Sequence, residues 1–139
     1  MSAVIIDTNV IVAGLLTARN DSPVARILDG MLAAAFPFVV SEALLAEYRA
    51  VLDRPVLRKV HALSMGEVET LVVSLAEHAI VLVPAPAAPA PDPGDQHLWD
   101  LLAAQADLRL VTGDKRLFEQ NANSRRVITP RAFHESCSH

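Results

Sequence analysis

Four acidic residues fall where a folded chain would gather negative charge. Asp7 directly follows the apolar run Ala3-Val4-Ile5-Ile6, and Asp114 follows the run Leu108 to Thr112 with only Gly113 between. Glu47 lies at helical spacing between Leu44 and Val51, on the side its helix must bury. Asp95 precedes the stripe Leu98, Trp99 and Leu102. Carboxylates held together repel one another, and the repulsion disappears when divalent cations fill the space between them. Hard oxygen ligands without His or Cys select Mg2+ or Mn2+ over zinc. Two such ions about 4 Å apart activate a water and stabilise both oxygens of an in-line phosphoryl displacement.

Each acid also has a plainer reading. Asp is a preferred helix cap, which would account for Asp7 and Asp114. Glu47 would serve as a solvated boundary residue. Asp92 or Asp95 would cap the helix that comes after them, but only one of the two can do so. Asp100 points away from the Leu98–Leu102 stripe and Asp107 ends the helix, so both are expected in solvent. His61, His78, His97 and His134 show no pairing, although His97, two residues beyond Asp95, is within reach of the site.

The elements that must position these groups are set by the hydrophobic pattern. Residues 3–6 read as a buried parallel strand ending at the turn and cap residues Asp7-Thr8-Asn9. A short helix comes next, over 10–16. Ser22-Pro23 starts a helix that runs to about Ala35. Residues 37–40 form a second strand, Ser41 caps a helix to about Leu52, and Asp53-Arg54-Pro55 breaks it before a short helical piece through Val60. An amphipathic helix spans Ser64 to Glu77, and 79–83 make a third strand. The Pro/Ala-rich stretch 84–93 favours an extended conformation and reads as a surface loop within one domain, 1–139, because the chain beyond it is too short to fold alone. Then come a helix over 94–106, a strand over 108–112, a helix over 115–121, a strand over 126–128 and a last helix from Pro130. Alternating strands and helices predict an α/β fold of three layers, α/β/α, around a mainly parallel five-stranded sheet. Sites in such folds form at the carboxyl ends of the strands, where Asp7 and Asp114 stand.

Composition agrees with a globular chain. Of 139 residues, 52% are hydrophobic and 20% charged, while aromatics are only 4%, so the core is built from aliphatic side chains. The net charge of −4 argues against a nucleic-acid partner unless the excess is concentrated in a site, and the four acids match it. Cys137 is the single cysteine, which excludes an internal disulfide, and it is expected as an incidental thiol on the tail. The first residues lack the pattern of a secretion signal, and the apolar runs are too short to span a bilayer, so a soluble cytoplasmic location is expected.

Taken together, Ile6-Asp7-Thr8-Asn9, Ser41-Glu42-Ala43-Leu44-Leu45-Ala46-Glu47-Tyr48, Asp92-Pro93-Gly94-Asp95-Gln96-His97 and Val111-Thr112-Gly113-Asp114-Lys115 resemble the four motifs of the PIN-domain family, in order and across nearly the whole chain. The likeness is nearest to the family's toxin–antitoxin toxins of the VapC type. It implies Mg2+ or Mn2+ bound by Asp7, Glu47, Asp95 and Asp114, with cleavage of RNA. Asn9 and Thr112 match polar neighbours that orient the carboxylates, and Asp92 matches a further acid. Such toxins also imply an antitoxin protein as partner and a homodimer. One departure is Gly94, where the third motif commonly has another acid. Under this reading Asp7, Asp95 and Asp114 hold the metals, while Glu47 completes the site or orients water. Lys115, Arg116, Arg19, Arg54 and Arg58 are candidate phosphate contacts. A dehalogenase-type phosphatase would need Asp where Asn9 stands, and a receiver domain would need a second acid beside Asp7. The remaining alternative is a catalytically silent PIN-fold domain that binds RNA or protein.

Overall fold

The computed structural model describes residues 2–119 and 124–137. Its centre is a five-stranded sheet of β1 (Val4–Ile6), β2 (Phe38–Val40), β3 (Ile80–Val81), β4 (Arg109–Val111) and β5 (Val127–Ile128). The strand order is β3-β2-β1-β4-β5, and every neighbouring pair is parallel. Eight helices among the described residues surround it: α1 (Thr8–Leu16), α2 (Pro23–Leu32), α3 (Glu42–Leu52), α4 (Pro55–His61), α5 (Met65–His78), α6 (Gln96–Leu102), α7 (Lys115–Phe118) and α8 (Pro130–Cys137). Successive strand residues face opposite sides of a sheet, yet all of Val4, Ile5 and Ile6, and all of Phe38, Val39 and Val40, are buried. Both faces are therefore covered, and the chain has the expected α/β architecture. None of these helices is long and apolar enough to cross a membrane.

Several boundaries differ from expectation for physical reasons. Thr8 and Asn9 are the first helical residues of α1, with Asp7 as the cap. α2 stops at Leu32 rather than Ala35. Ala34 turns left-handed (φ 54°), and the Ala35 N–H bonds back to the Gly30 carbonyl at 2.8 Å, closing the helix so that Pro37 can lead into β2. β3 has only two residues, because Pro84 has no N–H to continue a ladder that ends with the Leu82 N–H on the Val40 carbonyl. α6 is preceded by a 3-10 turn at Pro93–Asp95 and ends at Leu102, not at Ala106. Arg126, expected in the fifth strand, instead donates to the carbonyls of Leu102, Gln105 and Leu108, satisfying acceptors that the end of α6 leaves open. Of the helix expected over 115–121, α7 covers 115–118, and residues 120 and 121 lie outside the described residues. Cys137 is half-buried at the end of α8 and packs on the core, so it is not on a loose tail.

Asp100 was expected in solvent and is not there. Its carboxylate accepts from the Ala87 N–H at 3.1 Å and from Gln96 Nε2 at 2.9 Å, and its carbonyl accepts from the Ala85 N–H. Gln96 completes the attachment by accepting from the Ala90 N–H at 2.7 Å. The proline-rich segment has few N–H groups, and three of them are tied to α6. This fixes the path that delivers Asp92 and Asp95.

Candidate active site

The four acids come together. Asp7, Glu47, Asp95 and Asp114 line one cleft of about 650 Å³, with Thr8, Asn9, Arg54 and Arg116 beside them and an apolar wall of Val12, Leu16, Val51 and Leu57. β1 and β4 run side by side, with Ile6 opposite Val111. The Asp7 N–H bonds to the Val111 carbonyl at 2.9 Å, so the chain leaves both strands at the same level and places Asp7 near Thr112 and Asp114. Glu47 arrives from α3. That helix is anchored by the fully buried Tyr48, whose hydroxyl donates to the Ile6 carbonyl at the end of β1.

Asp7 is buried and firmly held. One carboxylate oxygen accepts the Thr8 N–H at 2.8 Å, and the other accepts the Thr112 hydroxyl at 2.7 Å and Asn9 Nδ2 at 3.4 Å. Asn9 also donates to Thr112 at 3.2 Å and accepts the Gly113 N–H, so Asn9 and Thr112 join the first and fourth motifs. Burial pushes the Asp7 carboxyl up to about 6. The Thr112 bond opposes this, while the nearby Glu47 and Asp95 charges add to it. Asp95 is raised in the same direction, by burial first and then by Asp92, with Asp114 and Glu47 contributing and Arg116 opposing. Its Oδ2 is buried with no hydrogen-bond partner. The cap at this turn is taken by Asp92, which accepts the Gly94 N–H at 2.9 Å.

The other two acids are held low by bonds to basic side chains. Glu47 bonds His97 Nε2 at 2.7 Å and also accepts the Thr8 hydroxyl. The His97 bond is the main reason its carboxyl lies below the usual range, outweighing burial. His97 is raised by the same bond. Asp114 caps α7 through the Arg116 N–H and takes the Arg116 guanidinium at 2.8 Å, which keeps it low. Arg116 also reaches Asp92 at 3.6 Å.

The remaining candidate cations divide. Arg54 and Arg116 line the cleft. Lys115 is exposed at the start of α7. Arg58 lines a separate cavity between α4 and α5, and Arg19 pairs with Asp21 on an exposed turn, so neither reaches the acids. His97 and Thr8 are the residues that sequence reasoning undervalued. His97 signalled itself only by standing two places from Asp95, and nothing in the sequence marks Thr8 as a partner of a residue 39 positions away.

Among the described residues, no three His, Cys, Asp or Glu side chains stand close enough to hold a metal ion without moving. Glu47 and Asp114 are drawn toward His97 and Arg116. The donor set nevertheless fits a hard cation: four carboxylates face one cleft, two of them are destabilised as anions, and Asp95 Oδ2 is buried and unpartnered.

Residues 3–116 match the sequence profile of the PIN domain, and the chain belongs to that family. PIN domains are in general nucleases that use divalent metals. No curated protein matches the chain.

Proposed function

We propose that this protein is a Mg2+- or Mn2+-dependent endoribonuclease that hydrolyses RNA phosphodiester bonds, acting in the cytoplasm as the toxin of a toxin–antitoxin pair. The reading rests on the convergence of Asp7, Glu47, Asp95 and Asp114, from four separate elements, on one cleft at the carboxyl ends of β1 and β4. Asp7, Asp95 and Asp114 would hold the metal, with Glu47 completing the set. A bound divalent cation would supply electrostatic stabilisation of the charge that builds on the phosphate and would make the attacking water more acidic.

The chain's own groups do the rest. Thr112 and Asn9 fix the Asp7 carboxylate, and Asp92 relieves Asp95 of capping. Glu47, held as a carboxylate by His97 and oriented by Thr8, would complete the metal set or orient the attacking water. Arg54 and Arg116 offer cationic contacts to the phosphate, and Lys115, exposed at the start of α7, is a further candidate. The same reading assigns an antitoxin protein as partner and a homodimer as the working form. A silent domain that binds RNA or protein is the competing reading, favoured by the two carboxylates already bonded to the chain's own basic side chains, Glu47 to His97 and Asp114 to Arg116.

Incubating purified protein with a mixed single-stranded RNA pool in Mg2+, Mn2+ or EDTA tests this, beside Asp7→Asn and Asp95→Asn. Cleavage that needs metal and is lost in both variants is expected. Intact RNA under every condition would shift the assignment to the silent domain, and cleavage surviving both substitutions would remove the site assignment.

A further inference from the structure

The five carboxylates around the cleft fall into two groups, and one side chain divides them. Arg116 sends Nε and Nη2 to Asp114, at 3.1 Å to Oδ1 and 2.8 Å to Oδ2, and Nη1 toward Asp92 at 3.6 Å. Its charge also acts on Asp95, where it opposes the other acids. A guanidinium is a planar fork that stays charged at any pH a protein tolerates, and it can bind two carboxylates edge-on at once. Asp114 is committed to this contact by its backbone as well, since the Arg116 N–H donates to the same carboxylate at 3.0 Å. Asp7, Glu47 and Asp95 make no ion pair with Arg116 and form the other pole, where the unpartnered Asp95 Oδ2 lies.

We propose that the Arg116 guanidinium permanently takes the second cation position of this cleft, so that the protein binds a single divalent ion at Asp7, Glu47 and Asp95. The inference rests on the metal-dependent nuclease reading; it takes Asp114 out of the metal ligands of that reading, because Arg116 holds it, and adds the number of ions and the residue that sets that number. A second divalent ion at Asp92 and Asp114 must displace a bidentate, charge-assisted pair and then sit against a positive charge. Substitution of Arg116 by a neutral side chain leaves those two carboxylates facing each other without a counter-charge and opens the position.

Calorimetric titration of Mn2+ into the metal-free protein tests this without reference to activity, using wild type, Arg116→Gln and Arg54→Gln. Arg54 lines the same cleft, so its loss controls for a general change in charge. The expected result is one ion per chain in wild type and in Arg54→Gln, and two in Arg116→Gln. Two ions in wild type, one in Arg116→Gln, or two in Arg54→Gln would each overturn the inference while leaving the nuclease reading intact. No ion bound by any of the three proteins would overturn both.

Discussion

Replacing Asp7 with Asn is expected to stabilise the metal-free protein above neutral pH. The Asp7 carboxyl is raised from 3.8 to about 6, by burial first and with Glu47 and Asp95 adding to it. A group raised on folding binds its proton more tightly in the native state. Its stabilising contribution is complete below the unfolded value and is lost as pH climbs through the folded one. At about 1.4 kcal/mol per unit, the whole loss is about 3 kcal/mol. Roughly half of it falls between about pH 5 and about pH 8. Asn keeps the shape and can still cap α1, but it gives up a good acceptor for the Thr112 hydroxyl, worth about 1 kcal/mol. The net gain at about pH 8 is therefore about 2 kcal/mol, or roughly 6–10 °C in melting temperature for a chain of this size. Asp114 titrates in both proteins, and the difference between two melting curves reads Asp7 together with its coupling to Glu47, Asp95 and His97. Thermal melts followed by circular dichroism in EDTA give that difference. It should shrink by about 4–7 °C as pH falls to about 5. Added Mn2+ should reverse the order, because only wild type retains the ligand. A variant that melts below wild type in EDTA at about pH 8, or a gap that does not change with pH, would refute the argument.

Three further substitutions test the parts that support the site. His97→Ala removes the bond that holds Glu47 low, so the acid limb of the cleavage pH profile should move to higher pH, and Gln at the same place should restore part of the shift; an unmoved profile would deny His97 that role. Tyr48→Phe deletes the buried hydroxyl bonded to the Ile6 carbonyl and should lower stability by about 1–2 kcal/mol, read from the urea midpoint, whereas an unchanged midpoint would mean that the carbonyl finds another partner. Ala62→Gly should raise stability by about 0.5–1 kcal/mol in the same assay, because Ala62 ends α4 in a left-handed conformation (φ 58°) that glycine adopts without strain; a loss would show that the strain is negligible.

The parts of the fold legible in the sequence are those where one local signal decides. Val4-Ile5-Ile6 and Phe38-Val39-Val40 are β-branched or aromatic and buried on both faces, so their unbroken apolar runs marked central strands. Ser22, Ser41 and Ser64 each cap a helix through a side-chain bond to a backbone N–H three residues on, as their types announce. Helix ends in alanine-rich sequence were not legible. Ala33 to Ala35 and Ala103 to Ala106 suit a helix as well as any residue, and the chain leaves the helix there only because the next strand must be reached. Contacts across long separations were hidden for a related reason. His97 meets Glu47 because α3 packs against α6, and Arg126 finds the end of α6 from a turn 21 residues beyond Gln105. His97 carried only the weak mark of standing two places from Asp95, and nothing around Arg126 announces its partners.

Capping and metal binding looked like rival explanations for the acids, and the structure shows why they need not compete. At the third motif the two tasks are divided between two residues. Asp92 accepts the Gly94 N–H and closes the turn, while Asp95 makes no side-chain cap bond and keeps a buried, unpartnered oxygen. At the first motif one residue has both, because Asp7 caps α1 with one oxygen and meets Thr112 with the other. The cap there is also what brings the carboxylate inward: the first turn of α1 begins where β1 ends, so satisfying the Thr8 N–H places Asp7 among Glu47 and Asp95. The cost of that placement appears in its raised pKa, and a buried carboxylate beside two others gains most from a cation. At the fourth motif Asp114 caps α7, but its charge is already answered by Arg116. A cap therefore does not show whether an acid is free to take a metal. What decides it is whether a cationic side chain is bonded directly to the carboxylate: Arg116 is bonded to Asp114, whereas among the described residues Asp7 and Asp95 make no ion pair.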